Sequence, residues 1–165
     1  MTGHVRLEPV DEGNLEALLS VAAAEADPAE VMPPVVAPPG WSEARREAFR
    51  AFHRQHYAGL DGPTHTIMYA ILVGGDVLGM IRMARRAEPG TVETGMWLGR
   101  SARGLGLGAT ALRALLAEAE RIGARRVVAE TTVQNEPALS LLRRCGAELR
   151  TDGDGAVRAE IRLAV

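Results

Sequence analysis

A mixed α/β fold, with one largely antiparallel sheet of about seven strands and four helices on its two faces, is what the sequence predicts. Three observations carry that prediction. The 165-residue chain runs through segments of strand and helix periodicity in the order strand, two helices, three strands, helix, strand, helix, two strands. Turn clusters of Gly, Asp and Pro separate the three middle strands so closely that they must be hairpin neighbours. A glycine-rich run, RGLGLG over Arg103 to Gly108, then joins the last of them to a strongly apolar-striped helix. That junction requires a crossover and helices on both faces of the sheet.

Val5 to Pro9 alternates as a short strand, and Asn14 stands as an N-cap before the stripe Leu15, Leu18, Leu19 and Ala22. Between Asp27 and Gly40 the prolines at 28, 33, 34, 38 and 39 predict a stiff loop in which neither helix nor central strand persists. Ser42 opens a second helix whose Phe49, Phe52, His56 and Leu60 share one face, ended by Gly59 or by Asp61, Gly62 and Pro63. Thr66 to Val73 and Val77 to Ala84 form a hairpin about Gly74 to Asp76, and Thr91 to Leu98 follows the Pro89–Gly90 turn. Ala109 to Ile122 carries Leu112, Leu115, Leu116 and Ala119 on one stripe and is capped by Gly123. Arg126 to Thr132 reads as a buried strand. Asn135 and Pro137 start a short helix that runs through Leu139 to Arg144 and closes at Gly146. Ala147 to Arg150 and Val157 to Leu163 flank DGDG as a last hairpin.

One domain accommodates this length and buries about two-thirds of the surface of the extended chain without help from a disulfide or a metal. Cys145 has no partner in the chain, and no leader pattern marks the N-terminus, so the expected compartment is the cytoplasm. Nineteen basic against twenty-one acidic residues give a net charge of -2, too weak a field to predict a nucleic-acid or anionic-membrane partner. No apolar run approaches the ~20 residues of a membrane span.

The chemistry concentrates at RGLGLG. A helix N-terminus leaves amide N–H groups unpaired and carries roughly half a positive charge, while glycines let a ligand approach without meeting Cβ atoms. A diphosphate fits such a place. The run lacks the Lys-Ser/Thr pair of a Walker loop, and the strands before it read as antiparallel, which disfavours a dinucleotide site.

Arg103, Gly106 and Gly108 resemble the signature of the GNAT superfamily of acetyl-CoA-dependent N-acetyltransferases, and GMWLGRSARGLGLGATALRALL with NEPALSLLRRCGAE extends the likeness over residues 65 to 165. The nearest branches are the ribosomal-protein alanine acetyltransferases and the small-amine or antibiotic acetyltransferases. The resemblance implies a single N-acetyltransferase domain over 1–165, with acceptor-side helices and the Pro-rich loop in 1–64 and a cofactor-binding core in 65–165. It implies acetyl-CoA as co-substrate, with Leu98, Gly99 and Arg100 along the pantetheine arm, Arg103, Gly104, Gly106, Gly108 and Ala109 around the diphosphate, and Asn135 beside the arm. Asn135 also reads as a plain helix N-cap.

Acetyl transfer to an amine requires loss of a proton, and the likeness puts Glu93 near the acceptor as base. Strand alternation sets Glu93, Gly95 and Trp97 on one face and Thr94, Met96 and Leu98 on the other, which makes Trp97 a floor for the acceptor cavity. Many relatives carry a tyrosine acid where this chain has Leu142; Cys145, one turn on, reads as core packing. His53 and His56 lack the further ligands a metal needs, so no metal is expected. Glu25, Asp27, Glu30 and Glu43 flank the Pro-rich segment and, with Trp41 as a flat wall, favour a small cationic amine such as an aminosugar antibiotic or polyamine. Trp41 as an anchor for the loop is the equal alternative. Rival readings are a protein N-terminal acetyltransferase and a non-catalytic acyl-CoA sensor; a homodimer is compatible with all three.

Overall fold

The structure, a computed structural model, describes residues 4–164; the outermost residues of the expected domain, 1–3 and 165, lie outside the described residues. Seven strands form one sheet: β1 (Val5–Pro9), β2 (Thr66–Val73), β3 (Asp76–Arg85), β4 (Thr91–Leu98), β5 (Arg126–Thr132), β6 (Glu148–Thr151) and β7 (Ala156–Arg162), in the order β1-β2-β3-β4-β5-β7-β6. Every neighbouring pair is antiparallel except β4 and β5. That parallel pairing covers only Thr91 to Glu93 against Arg126 to Val128, beyond which the two strands part.

Helices α1 (Leu15–Glu25), α2 (Pro28–Val31), α3 (Glu43–Arg54), α4 (Leu107–Arg121) and α5 (Glu136–Arg144) cover the sheet, with 3-10 turns at Gly59–Asp61 and Arg100–Ala102. The expected α1 stripe is the one it buries, against Met68, Ala70, Met80 and Trp97 of β2 to β4. On the opposite face Leu112 and Leu115 of α4 and Leu142 of α5 pack on Ile71, Ile81, Val127 and Ile161. Each strand residue thus faces one of two cores according to its parity, as pleating demands.

Four local expectations are corrected. There are five α-helices and not four, because Pro28 takes a first-turn position, where its missing N–H costs nothing, and starts one turn inside the Pro-rich segment. The helix opened by Ser42, whose Oγ accepts from Arg45 N–H, stops at Arg54; His56 and Leu60 lie past its end. The fully buried imidazole is therefore His53, its ring 4.3 Å from Phe49, while His56 is half-exposed and hydrogen-bonds Thr64 Oγ1 at 2.8 Å. Asn14 sits at the N-cap of α1 without capping it, since its Oδ1 accepts from Asp11 N–H and its Nδ2 donates to Pro9 O.

His53 Nδ1 donates to Phe49 O at 2.9 Å, and burial pushes the imidazole down to about 4. A group whose pKa falls on folding binds more protons unfolded than folded between the two values. Folding stability should thus decline as pH drops from about 6.5 towards 4, by on the order of 3 kcal/mol in full. Urea unfolding of parent and His53→Phe across that window should show the variant gaining on the parent as pH falls. A difference that stays flat would contradict the burial argument.

Candidate functional site

Where β4 and β5 part, a slot of about 530 Å³ opens between them, walled by α4 and α5. Gly99 N–H donates to Leu78 O, so by the alternation of an antiparallel ladder Met96 and Leu98 turn their backbone groups away from β3 and into this slot. One of those groups already has a partner, since Leu98 O accepts from Arg103 Nε at 2.9 Å.

At the slot's mouth the chain makes the 3-10 turn Arg100–Ala102, leaves Arg103 extended, and turns twice through left-handed glycines, Gly104 at φ +76° and Gly106 at φ +79°, into α4. A side chain at either position would strain the backbone. Gly108 is different: a Cβ there would stand 2.5 Å from Leu141 Cδ1, so its absence lets α4 close on α5. Among the described residues no hydrogen-bond acceptor is paired with the amide N–H of any residue from Gly104 to Ala109. Six successive donors at the start of a fifteen-residue helix make an anion cradle.

Leu98, Arg103 and Asn135 line the slot itself; Gly104, Gly106, Gly108 and Ala109 follow Arg103 in the chain without lining it, and Ala109 is buried. Gly99 packs on α1, since a Cβ there would meet Val21 and Glu25 at 3.0 and 3.2 Å. Arg100 is exposed and lines no cavity described here. Asn135 is the N-cap of α5, with Oδ1 accepting from Ala138 N–H at 3.2 Å, and this leaves its Nδ2 unpaired beside the slot. Leu142 is buried in the slot wall and offers no proton. Cys145 packs against the core, and burial pushes its thiol up.

Across β4 from the slot lies a second cavity, about 350 Å³, under α2 and the Pro-rich segment. The two share Glu30, Gly95, Met96 and Trp97 as lining. Trp97, expected as the floor of an acceptor cavity, lines both. Glu93 is not in either cavity: it borders a third, polar one with Glu88, Glu130 and Arg158. Its Oε1 accepts from Arg82 Nη1 at 2.7 Å, and its Oε2 is 3.5 Å from Arg86.

Of the carboxylates expected to attract a cation, Glu25, Asp27 and Glu30 lie against the 100–103 segment. Glu25 Oε1 accepts from Ser101 N–H at 2.7 Å, and hydrogen bonding to the Ser101 side chain and backbone holds its carboxyl below the usual range. Asp27 lies 3.5 Å from Arg100, Glu30 Oε2 accepts from Arg103 Nη2 at 2.9 Å, and Glu43 faces Arg50 at 3.6 Å. Trp41 lines none of these cavities; its Nε1 donates to Ala26 O and its ring meets Phe49 edge-on, which makes it the anchor of the Pro-rich segment. Arg45 pins the same segment through Pro38 O and Gly40 O.

Sequence reasoning missed Arg82. Register sets it directly across from Gly95, and its guanidinium lies over that glycine, where a Cβ would come within 2.9 Å of Nη2. The hairpin expected over residues 66–98 contained the signal, because it pairs the glycine of ETGMWL with the arginine of GMIRM.

The profile of the acetyltransferase (GNAT) domain matches residues 4–148. Among solved structures the chain resembles RimL, a ribosomal L7/L12 alpha-N-protein acetyltransferase in complex with coenzyme A, at TM-score 0.75 and 20% identity over 99% of this chain and 96% of that one. It also resembles Mycobacterium smegmatis RimJ in complex with CoA-disulfide (TM-score 0.75, 18% identity, 97% and 82% of the chains) and an N-acetyltransferase from Staphylococcus aureus Mu50 (0.66, 20%, 98% and 99%). At these identities the likeness speaks for the fold alone. No curated protein sequence matches significantly.

The Glu25–Ser101 bond joins α1 to the turn that precedes the cradle. Glu25→Ala should therefore accelerate exchange of the Ser101 amide, read by hydrogen-exchange mass spectrometry, and weaken CoA binding several-fold by loosening the loop. Unchanged protection of that turn would show that the carboxylate does not restrain it.

Proposed function

The chain belongs to the GNAT family of acetyltransferases, and from that premise we propose that it moves acetyl from acetyl-CoA to the primary amine of a small acceptor by direct attack in a ternary complex. The observation that carries this reading is the run of unpaired amides from Gly104 to Ala109 opening on the slot between β4 and β5. A diphosphate held there would gain roughly 1.5–3 kcal/mol for each charge-assisted bond. The Met96 and Leu98 backbone and Asn135 Nδ2 would follow the pantetheine arm inward. When bound, acetyl-CoA supplies an acyl group activated as a thioester.

The acceptor side is the 350 Å³ cavity, small and roofed by Val31, Met32 and Pro33. Its size supports a small molecule over an extended peptide. Glu30 is the one carboxylate that lines both this cavity and the slot, and Arg103 takes only its Oε2. We therefore assign to Glu30 the reception of the amine and of the proton it sheds as nitrogen bonds the acetyl carbon and the carbon–sulfur bond breaks. Glu93, facing two guanidinia, takes the role of fixing Arg82 in place of the base role expected from sequence. A CoA thiolate is a fair leaving group, so Leu142 in place of a tyrosine is compatible with turnover.

Two measurements test the proposal. Gly106→Val, which forces a β-branched residue to φ +79°, should lower CoA affinity at least tenfold by calorimetry on folded protein; equal affinities would remove the cofactor assignment. With an amine panel of polyamines, aminosugar antibiotics, amino acids and N-terminal peptides, followed by thiol release, Glu30→Gln should slow turnover most at low pH. Glu93→Gln should raise KM and leave the pH profile in place. Coincident profiles for Glu30→Gln and parent, with a shifted profile for Glu93→Gln, would return the base role to Glu93.

A further inference from the structure

Arg82 is a cation in the middle of a strand, on the face that packs against α1 and α3, and its charge is only partly matched. Nη1 donates to Glu93. Its Nε and Nη2 have no hydrogen-bond partner among the described residues, although the side chain is only about a third exposed. A guanidinium presents Nε–H and one Nη–H along the same edge, a fork that matches the two oxygens of a carboxylate. Such an edge is open to a ligand that brings two oxygens.

Arg82 lines the acceptor cavity, and its Nε and Nη2 lie over Gly95, one of the residues that separate that cavity from the cofactor slot. Glu93, itself 3.5 Å from Arg86, holds Nη1 of the guanidinium, so the group keeps this position without help from an acceptor. Glu30 borders the same cavity with Oε1 unpaired. Between the two charges the lining is apolar: Met32, Phe52, Met80 and Trp97. An anion next to the slot, a fixed guanidinium fork, and an apolar wall form a complement to three groups on one small molecule.

Building on the acetyl-transfer reading above, we infer that the acceptor is a small amino acid with an apolar side chain, its ammonium at Glu30 and its carboxylate on the Nε/Nη2 edge of Arg82. A polyamine or aminosugar would set a second cation against Arg82. A peptide N-terminus would offer that fork a neutral amide in place of a carboxylate, forfeiting the charge-assisted pair.

The test compares free leucine, leucinamide and isoamylamine as acceptors, with leucine binding to the CoA-saturated protein followed by calorimetry in parallel. For the parent, kcat/KM for leucine should exceed that for each of the other two by at least about tenfold. In Arg82→Met that ratio should fall to near one. Gly95→Ala, which keeps the charge but displaces the guanidinium, should reduce the ratio as well; thermal melts identify which variants are folded. Equal use of isoamylamine, preference for leucinamide, or a ratio that survives Arg82→Met in folded protein would overturn the inference. If CoA binds and leucine is neither bound nor acetylated, the inference fails while acetyl transfer stands for another acceptor. If CoA itself does not bind, it is the proposed function that fails, and Arg82-dependent binding of leucine would still support the carboxylate site.

Discussion

The parting of β4 from β5 after Glu93 is the constraint on which the rest of the site depends. A strand inside a sheet normally satisfies its backbone on both sides, and an unpaired stretch of buried backbone is destabilising unless something else meets it. Here Met96 and Leu98 give up a neighbour, and Arg103 Nε returns one bond to Leu98 O. The gap stays open because α4 and α5 wedge it from one face. Leu112 and Leu142, which anchor those helices in the core, are also the side chains that line the slot. Since a strand–helix–strand crossover delivers its helix N-terminus to the C-terminal end of the first strand, the amide cradle and the gap arrive at the same place.

The same geometry places the second cavity. Pleating sends Met96 towards α4 and sends Gly95 and Trp97 towards α1, so β4 forms a partition one strand thick between the two cavities. Gly95 is the thinnest point of the partition. Its missing side chain is filled by the guanidinium that reaches across from β3, and Glu93, two residues earlier on the same face, holds that guanidinium. The carboxylate steadies this half-buried cation, and a side chain at 95 would push the guanidinium away. Arg82, Glu93 and Gly95 therefore act as a single unit, although register and not sequence proximity joins the first to the others.

Much of this was legible in the sequence. Strand alternation, turn glycines and the leucine stripe of α4 indicated the sheet, the crossover after β4 and helices on both faces; RGLGLG marked the glycine turn that opens α4. Part of what escaped reading depends on partners far away in the chain, and part on local ends and lengths that periodicity does not resolve. Glu25, Asp27 and Glu30 read as a free acidic face, but their partners Ser101, Arg100 and Arg103 are some seventy residues on. The Phe49, Phe52 and His56 stripe extended a helix that the backbone ends at Arg54, which handed burial to His53. A one-turn helix at Pro28 is invisible to periodicity because four residues hold no full period.

The glycine signature also divides under inspection. Gly104 and Gly106 are required by dihedral angle, and a Cβ on either would meet nothing; Gly108 has an ordinary helical backbone and is required by Leu141. One motif thus combines two constraints that fail differently: substitution at 104 or 106 strains the turn that aims the amides, whereas substitution at 108 displaces the Leu141 side chain from the wall of the slot. Arg103 adds a third. Its guanidinium links Leu98 O on β4 to Glu30, one residue before the end of α2, so the loop of unpaired amides and the segment that roofs the second cavity are held by one side chain. The slot and the second cavity are thus joined through Arg103, as they are separated by Gly95.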